Sequence, residues 1–266
     1  MKNYRTWGEP PYRIAVIHGG PGAVGEMAEM ADELSKNNIS ILEPQQTALS
    51  VDGQVEELCE ILKSHAIPPV TLIGHSWGAM LIFIVASRYS ELVNKLILVC
   101  SGVFEAKYAV GIDAVREERL SDAEKKEINK LWGIIRNSTE QNNDKLLARI
   151  GQLAAKADTY SALPEKHYEM PKGLKVNADM FKKIMPEVTD LRKSGRLLSM
   201  GENIKCPVIA IHGNYDSHPV EGIKEPLSRT LTKFKLIELE KCGHEPWRER
   251  YAREKFFQIL KDEIKV

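Results

Sequence analysis

The 266-residue chain predicts an α/β fold. The sheet is mostly parallel and short at its N-terminal edge, has helices on both faces, and carries a helical cap inserted after its fourth strong strand. Three observations lead there. Short apolar runs alternate with longer amphipathic ones, a rhythm that implies parallel pairing through crossover helices. The rhythm stops between residues 104 and 204 and then resumes. Glycine-rich or polar clusters stand just beyond the ends of several apolar runs, where open α/β sheets place their sites.

The elements follow in order. Residues 1–12 leave room for at most one short strand before RIAVIHG (13–19), the first buried strand. Residues 25–37 read as a helix and ISILEP (39–44) as a strand. VDGQVEELCEILKSHA (51–66) repeats Val55, Leu58, Cys59, Ile61 and Leu62 at helical spacing. VTLIG (70–74) is a strand, 79–89 a helix and KLILVCSG (95–102) the fourth strong strand. The block 104–204 is charged, helix-rich and broken by Pro164, Pro171 and Pro186. It is too long for a loop. Afterwards come CPVIAIHG (206–213), a helix over 220–231, FKLIELE (234–240) and a last helix over 248–261. The expected organisation is a core of residues 1–103 and 205–266 with the cap at 104–204.

Composition narrows the function classes. Lys and Arg number 37, Asp and Glu also 37, so nothing favours nucleic acid or an acidic membrane surface. No apolar run reaches the length of a membrane span, and the start MKNYRTWGEPPYR lacks an apolar leader core. A cytoplasmic protein is expected. Cys59, Cys100, Cys206 and Cys242 are scattered, as packed thiols rather than disulfides or metal ligands would be.

The chemistry centres on Gly74-His75-Ser76-Trp77-Gly78, a G-x-S-x-G set between a strand and a helix. In that setting the motif makes a sharp turn with a strained serine at its tip. Glycines two residues to either side remove side chains that would clash. The next helix aims its first amides where negative charge develops in acyl transfer. A nucleophilic serine needs a base, and the base an orienting carboxylate. Asp216 in HGNYD and His244 in CGHEPW each lie past the end of a later strand. His18-Gly19-Gly20-Pro21-Gly22 follows the first strong strand and can turn backbone N–H groups toward a ligand. The N–H groups of Gly20 and Trp77 are the expected oxyanion donors. Neither G-x-x-x-x-G-K-[ST] nor G-x-G-x-x-G occurs here, which leaves a phosphate loop without support.

On these motifs the chain resembles the α/β-hydrolase superfamily over nearly its whole length. HGGPG followed by GHSWG is most similar to the proline iminopeptidase group and its relatives. The resemblance implies Ser76 as nucleophile, His244 as base and Asp216 as its orienter, with the inserted block as a helical cap. Two features depart from the group. Where it usually carries Asp-Gln-Arg-Gly, this chain reads Glu43-Pro44-Gln45-Gln46. Where the superfamily usually has an N-terminal hairpin, only one strand fits.

The expected activity is hydrolysis of small esters, amides or short peptides through an acyl-enzyme, with no metal or organic cofactor. The options are an aminopeptidase, a carboxylesterase, or a receptor-like binder with slow turnover. The expected partner is a small molecule or short peptide; oligomeric state has no sequence signal. Glu105, after the fourth strand, is the alternative acid. His18 and Gly19 are expected to brace the oxyanion loop, and Trp77 and Trp247 to line the pocket or fill core. His75 and His212 read as scaffold, while His65, His167 and His218 show no partner pattern. No cluster has metal-ligand spacing.

Overall fold

The structure is a computed structural model and describes residues 2–137, 143–163 and 174–264. Pro164, Pro171 and His167 lie outside the described residues. In chain order the strands are β1 (Tyr4–Trp7), β2 (Ile14–Ile17), β3 (Ala23–Val24), β4 (Ile41–Pro44), β5 (Val70–His75), β6 (Val93–Val99), β7 (Lys175–Val176), β8 (Val208–Gly213) and β9 (Phe234–Leu239). Seven form one sheet in the order β1-β4-β2-β5-β6-β8-β9, while β3 and β7 make a separate antiparallel ribbon. Within the large sheet β1 runs antiparallel to β4, and the other pairings are parallel. One N-terminal strand thus stands at the trimmed edge. Glu43 holds it there, its buried carboxylate accepting from Arg5 Nε at 2.9 Å and Trp7 Nε1 at 3.0 Å.

The helices are α1 (Ala28–Ser35), α2 (Val51–His65), α3 (Trp77–Arg88), α4 (Ala106–Ala109), α5 (Ile112–Glu118), α6 (Asp122–Asn137), α7 (Asp144–Ala157), α8 (Ala178–Lys193), α9 (Arg196–Ser199), α10 (Glu221–Thr230) and α11 (Arg253–Ile264). Two begin later than the sequence pattern implies. Ala23 and Val24 are drawn into the ribbon, so α1 starts at Ala28. Pro246–Arg248 forms a 3-10 turn and Glu249 bridges to Ala162, so α11 starts at Arg253. The α2 pattern is closed at its start by Ser50, whose hydroxyl accepts from Gly53 N at 3.1 Å.

Alternation along the strands sorts the core onto two faces. Ala15, Ile17, Leu72, Leu96, Leu98 and Ala210 join the cluster containing α2, α3 and α10. Val16, Ile73, Ile97, Val99, Ile209 and Ile211 join the cluster containing α1 and α11. The inserted helices divide likewise. Ile128, Ile135, Ile150 and Leu153 of α6 and α7 belong to a small cluster of their own. Met180, Ile184, Val188 and Leu191 of α8 pack into the sheet's core. Among the described residues no helix is long and apolar enough to cross a membrane. Cys59, Cys100, Cys206 and Cys242 are free thiols, three of them buried.

Candidate active site

Residues at the C-terminal ends of the parallel strands converge on one cavity of about 480 Å³. Ser76 lies between β5 and α3 with φ 50° and ψ −112°, a conformation that costs a non-glycine residue about 1–3 kcal/mol. Packing leaves the turn no slack. A Cβ on Gly74 would come within 2.4 Å of Gly78 O, and one on Gly78 within 2.4 Å of Ile17 O. Ser76 N–H donates to Val99 O at 3.1 Å, which ties the turn to β6. Trp77 opens α3, so its backbone N–H has no acceptor within the helix. Its ring is buried and donates from Nε1 to Gln54 Oε1 at 2.9 Å.

Asp216 follows β8 and is buried; His244 follows β9. His244 Nδ1–H donates to Asp216 Oδ2 at 2.6 Å. Burial works against the charge on either group. The adjacent His244 and His218 nevertheless hold Asp216 well below the usual carboxylate range. Burial alone lowers the His244 pKa, but the Asp216 charge and hydrogen bond outweigh it and raise it to about 9. The His244 backbone is fixed too, its N–H donating to Asp158 O at 3.0 Å. The Asp158 carboxylate in turn accepts from Arg116 on both oxygens, Nε–H on Oδ1 at 3.1 Å and Nη2–H on Oδ2 at 2.6 Å. Ser76 and His244 both line the cavity; among the described residues no hydrogen bond joins them.

His218 also binds the acid. Its Nδ1 lies 2.9 Å from Asp216 Oδ1, and its ring stacks on His244 with centroids 4.8 Å apart. The sequence holds this only as an Asp-x-His spacing, which is too common to single out. His212 supports the same loop, its Nε2–H donating to His218 O at 2.8 Å. Ligand atoms of Asp216, His218 and His244 lie within 4.8 Å of one another, as do those of Cys100, His212 and Asp216. Spacing along the chain suggested no such clusters, because strand ends far apart in sequence supply them. Glu105 sits elsewhere, with Arg229 Nη2 at 2.6 Å, and does not contact His244.

The glycine-rich loop after β2 is held by a network that the sequence did not reveal. Gly19 N–H donates to Glu26 Oε2 at 2.5 Å, which leaves Gly20 as the next free amide. Gly20 has φ 28°, which favours glycine, and lines the cavity. Glu26 Oε2 is also 3.0 Å from His75 Nδ1, and His75 Nε2–H donates to His244 O at 2.9 Å. Glu26 is shielded from water, yet His75 and Gly19 lower its pKa to about 2. His75 thereby bridges Glu26, which holds the Gly19 amide, and the loop that carries His244. His18 is buried, its Nδ1–H on Gly19 O at 2.9 Å, and burial lowers its pKa. Trp247 is not a cavity wall: it is fully buried with its ring edge against His75, centroids 4.8 Å apart. His65 stacks on Tyr4 at the far edge.

Comparisons with known proteins agree with this architecture. A family model described as alpha/beta hydrolase fold matches residues 12–247. The crystal structure of VinJ is 17% identical, with a TM-score of 0.71 over 98% of this chain and 93% of that one. A monoacylglycerol lipase from Paleococcus ferrophilus is 16% identical, with a TM-score of 0.62 over 98% and 96%. A thermophilic esterase from Thermogutta terrifontis, with malate bound, is 17% identical, with a TM-score of 0.62 over 98% and 92%. At these identities the likeness is one of fold alone. No curated protein matches the chain.

Proposed function

The chain belongs to the alpha/beta hydrolase fold family, and from that premise we propose that it is a serine hydrolase of small carboxylic esters and amides. The observation that carries the reading is the Asp216–His244 hydrogen bond at 2.6 Å, at the cavity that Ser76 also lines. In this reading Ser76 Oγ attacks the carbonyl carbon and His244 takes its proton. The N–H groups of Gly20 and Trp77 receive the oxyanion, and donors of this kind are worth about 2.7–4 kcal/mol each. His244 then protonates the leaving group. Water, deprotonated by the same imidazole, cleaves the acyl-enzyme. The inserted helices act as the cap, since Arg116, Leu147 and Phe181 from three of them line the cavity.

Ester and neutral amide substrates are favoured over peptide N-termini. An aminopeptidase holds the substrate ammonium with an available carboxylate, because an unpaired buried ammonium is prohibitive. Among the described residues at the cavity, Glu26 is engaged by His75 and the Gly19 amide, Asp158 by Arg116 and Glu245 by Arg248. Asp113 is 96% exposed. Ser76→Ala is expected to stay folded and to lose about four to six orders of magnitude in hydrolysis of activated esters. A fluorophosphonate probe is expected to label the wild type and not the variant. Equal labelling of both would remove Ser76 from the mechanism, and a single slow burst without turnover would make the protein a binder instead.

A further inference from the structure

Three arginines line the cavity, and two of them are neutralised within the protein. Arg116 is paired with Asp158. Arg248 donates from Nε to Glu29 at 3.2 Å and from Nη1 to Glu245 at 3.1 Å. Arg192 differs. Its Nε–H donates to the backbone oxygen of Val103 at 2.8 Å, and its Nη2 lies 3.9 Å from Met80 Sδ. Among the described residues no carboxylate forms an ion pair with it, and burial alone acts on its pKa, downward. A guanidinium keeps its proton in such surroundings. The fold has therefore placed a permanent, partly desolvated cation at the substrate cavity with no counter-charge among the described residues.

Its position is held from both sides. Val188 and Leu191, in the last turns of α8, are buried in the core beside it. Met80 lies one helical turn beyond Ser76 on α3, and both line the cavity. The Val103 bond engages Nε and leaves the two Nη groups, whose forked N–H donors match a carboxylate. A cationic substrate would meet repulsion here; an anionic one would supply the missing partner.

We propose that Arg192 anchors a carboxylate carried by the substrate, so that this site hydrolyses esters or amides bearing a free carboxylate a few bonds from the scissile carbonyl. The inference rests on the reading of Ser76 as nucleophile. The anchored carboxylate takes no part in bond making. Water adds to the acyl carbon, the bond to Ser76 Oγ breaks, and Oγ recovers its proton through His244.

The test uses two pairs of esters that differ in one group. Monomethyl adipate against methyl hexanoate places the carboxylate on the acyl side, and 4-acetoxybutanoate against butyl acetate places it on the alcohol side. In at least one pair the wild type is expected to prefer the anion by about tenfold or more in kcat/KM, the size of a charge-assisted hydrogen bond. Arg192→Gln is expected to lower that ratio at least about tenfold, and Arg192→Lys to keep part of it. A wild-type ratio near one in both pairs, or an unchanged ratio in Arg192→Gln, would overturn the anchor. The wild-type ratios decide even where a variant fails to fold. Adipate is also expected to slow fluorophosphonate labelling of Ser76. Labelling that adipate leaves untouched counts against the anchor alone, whereas absence of labelling counts against the nucleophile.

Discussion

Asp216 divides its two oxygens between two imidazoles, and this sets the pH behaviour of the base. In the proposed mechanism His244 must be neutral to accept a proton from Ser76. The carboxylate 2.6 Å away favours its charged form and raises its pKa to about 9. Below that pH the active fraction grows as protons leave, so kcat/KM is expected to climb with unit slope and level off near pH 9 rather than near neutrality. Rates measured from pH 5 to 10 check this. Asp216→Asn removes the charge and presents the wrong tautomer. The plateau is expected to drop by about 10⁴-fold and the rising limb to move to lower pH. Glu105→Gln serves as the control and is expected to keep near-wild-type rates, because Glu105 is engaged by Arg229. The reverse pattern would transfer the acid's role to Glu105. At this scale the gathering of Ser76, Asp216 and His244 at one edge was readable because each follows a strand that parallel pairing brings there. His218, Glu26 and Arg192 were not. Their roles come from partners that only folding brings near, as with Arg192 and Val103.

At the scale of elements, the site joins three segments through one hydrogen-bonded network. Glu26 lies in the turn before α1, His75 at the end of β5, and the carbonyl of His244 in the loop after β9. This network therefore sets the distance between the Gly19–Gly20 loop and the His244 loop. Glu26→Ala frees the Gly19 amide and leaves His75 Nδ1 without its partner. A shift of about 1 Å in such a loop costs about a hundredfold in rate. The expected result is a drop of that order in kcat with little change in KM, and partial recovery in Glu26→Gln, whose side chain can still bridge. Steady-state kinetics on one activated ester distinguish this from general destabilisation, since a folding defect lowers the active fraction without the conservative variant restoring it. The sequence rhythm located the main strands of the large sheet and the helices outside 104–204, but not the individual helices of that block or the β3–β7 ribbon, and it misplaced the starts of α1 and α11. In both places a long-range pairing, Ala23 with Val176 and Ala162 with Glu249, overrides the local helical pattern.

For the whole molecule, the governing quantity is the size of the space beneath the inserted helices. A cavity of about 480 Å³ falls in the range of about 300–1,000 Å³ that suits small ligands. Hydrolysis of 4-nitrophenyl esters is expected to be fastest for short acyl chains and to fall at least about tenfold by sixteen carbons. Folded proteins are expected to remain uncut. Undiminished rates on the long chains would mean that the helices do not limit entry. The sheet order and the presence of an insertion could be read from alternation and its interruption. The division of that insertion could not: charge along α8 resembles that along α6, yet α8 packs into the sheet's core while α6 and α7 form their own cluster. The ribbon of β3 and β7 links this roof to the floor, because Ala23 N–H donates to Gly20 O at 3.0 Å, Ala23 and Val24 pair with Val176 and Lys175, and Asn177 N–H donates to Gly22 O at 3.0 Å. Lifting the roof at that edge would pull on the loop that supplies the Gly20 amide. The ribbon acts as an interlock, in which the door cannot swing open on this hinge while the machinery behind it stays armed.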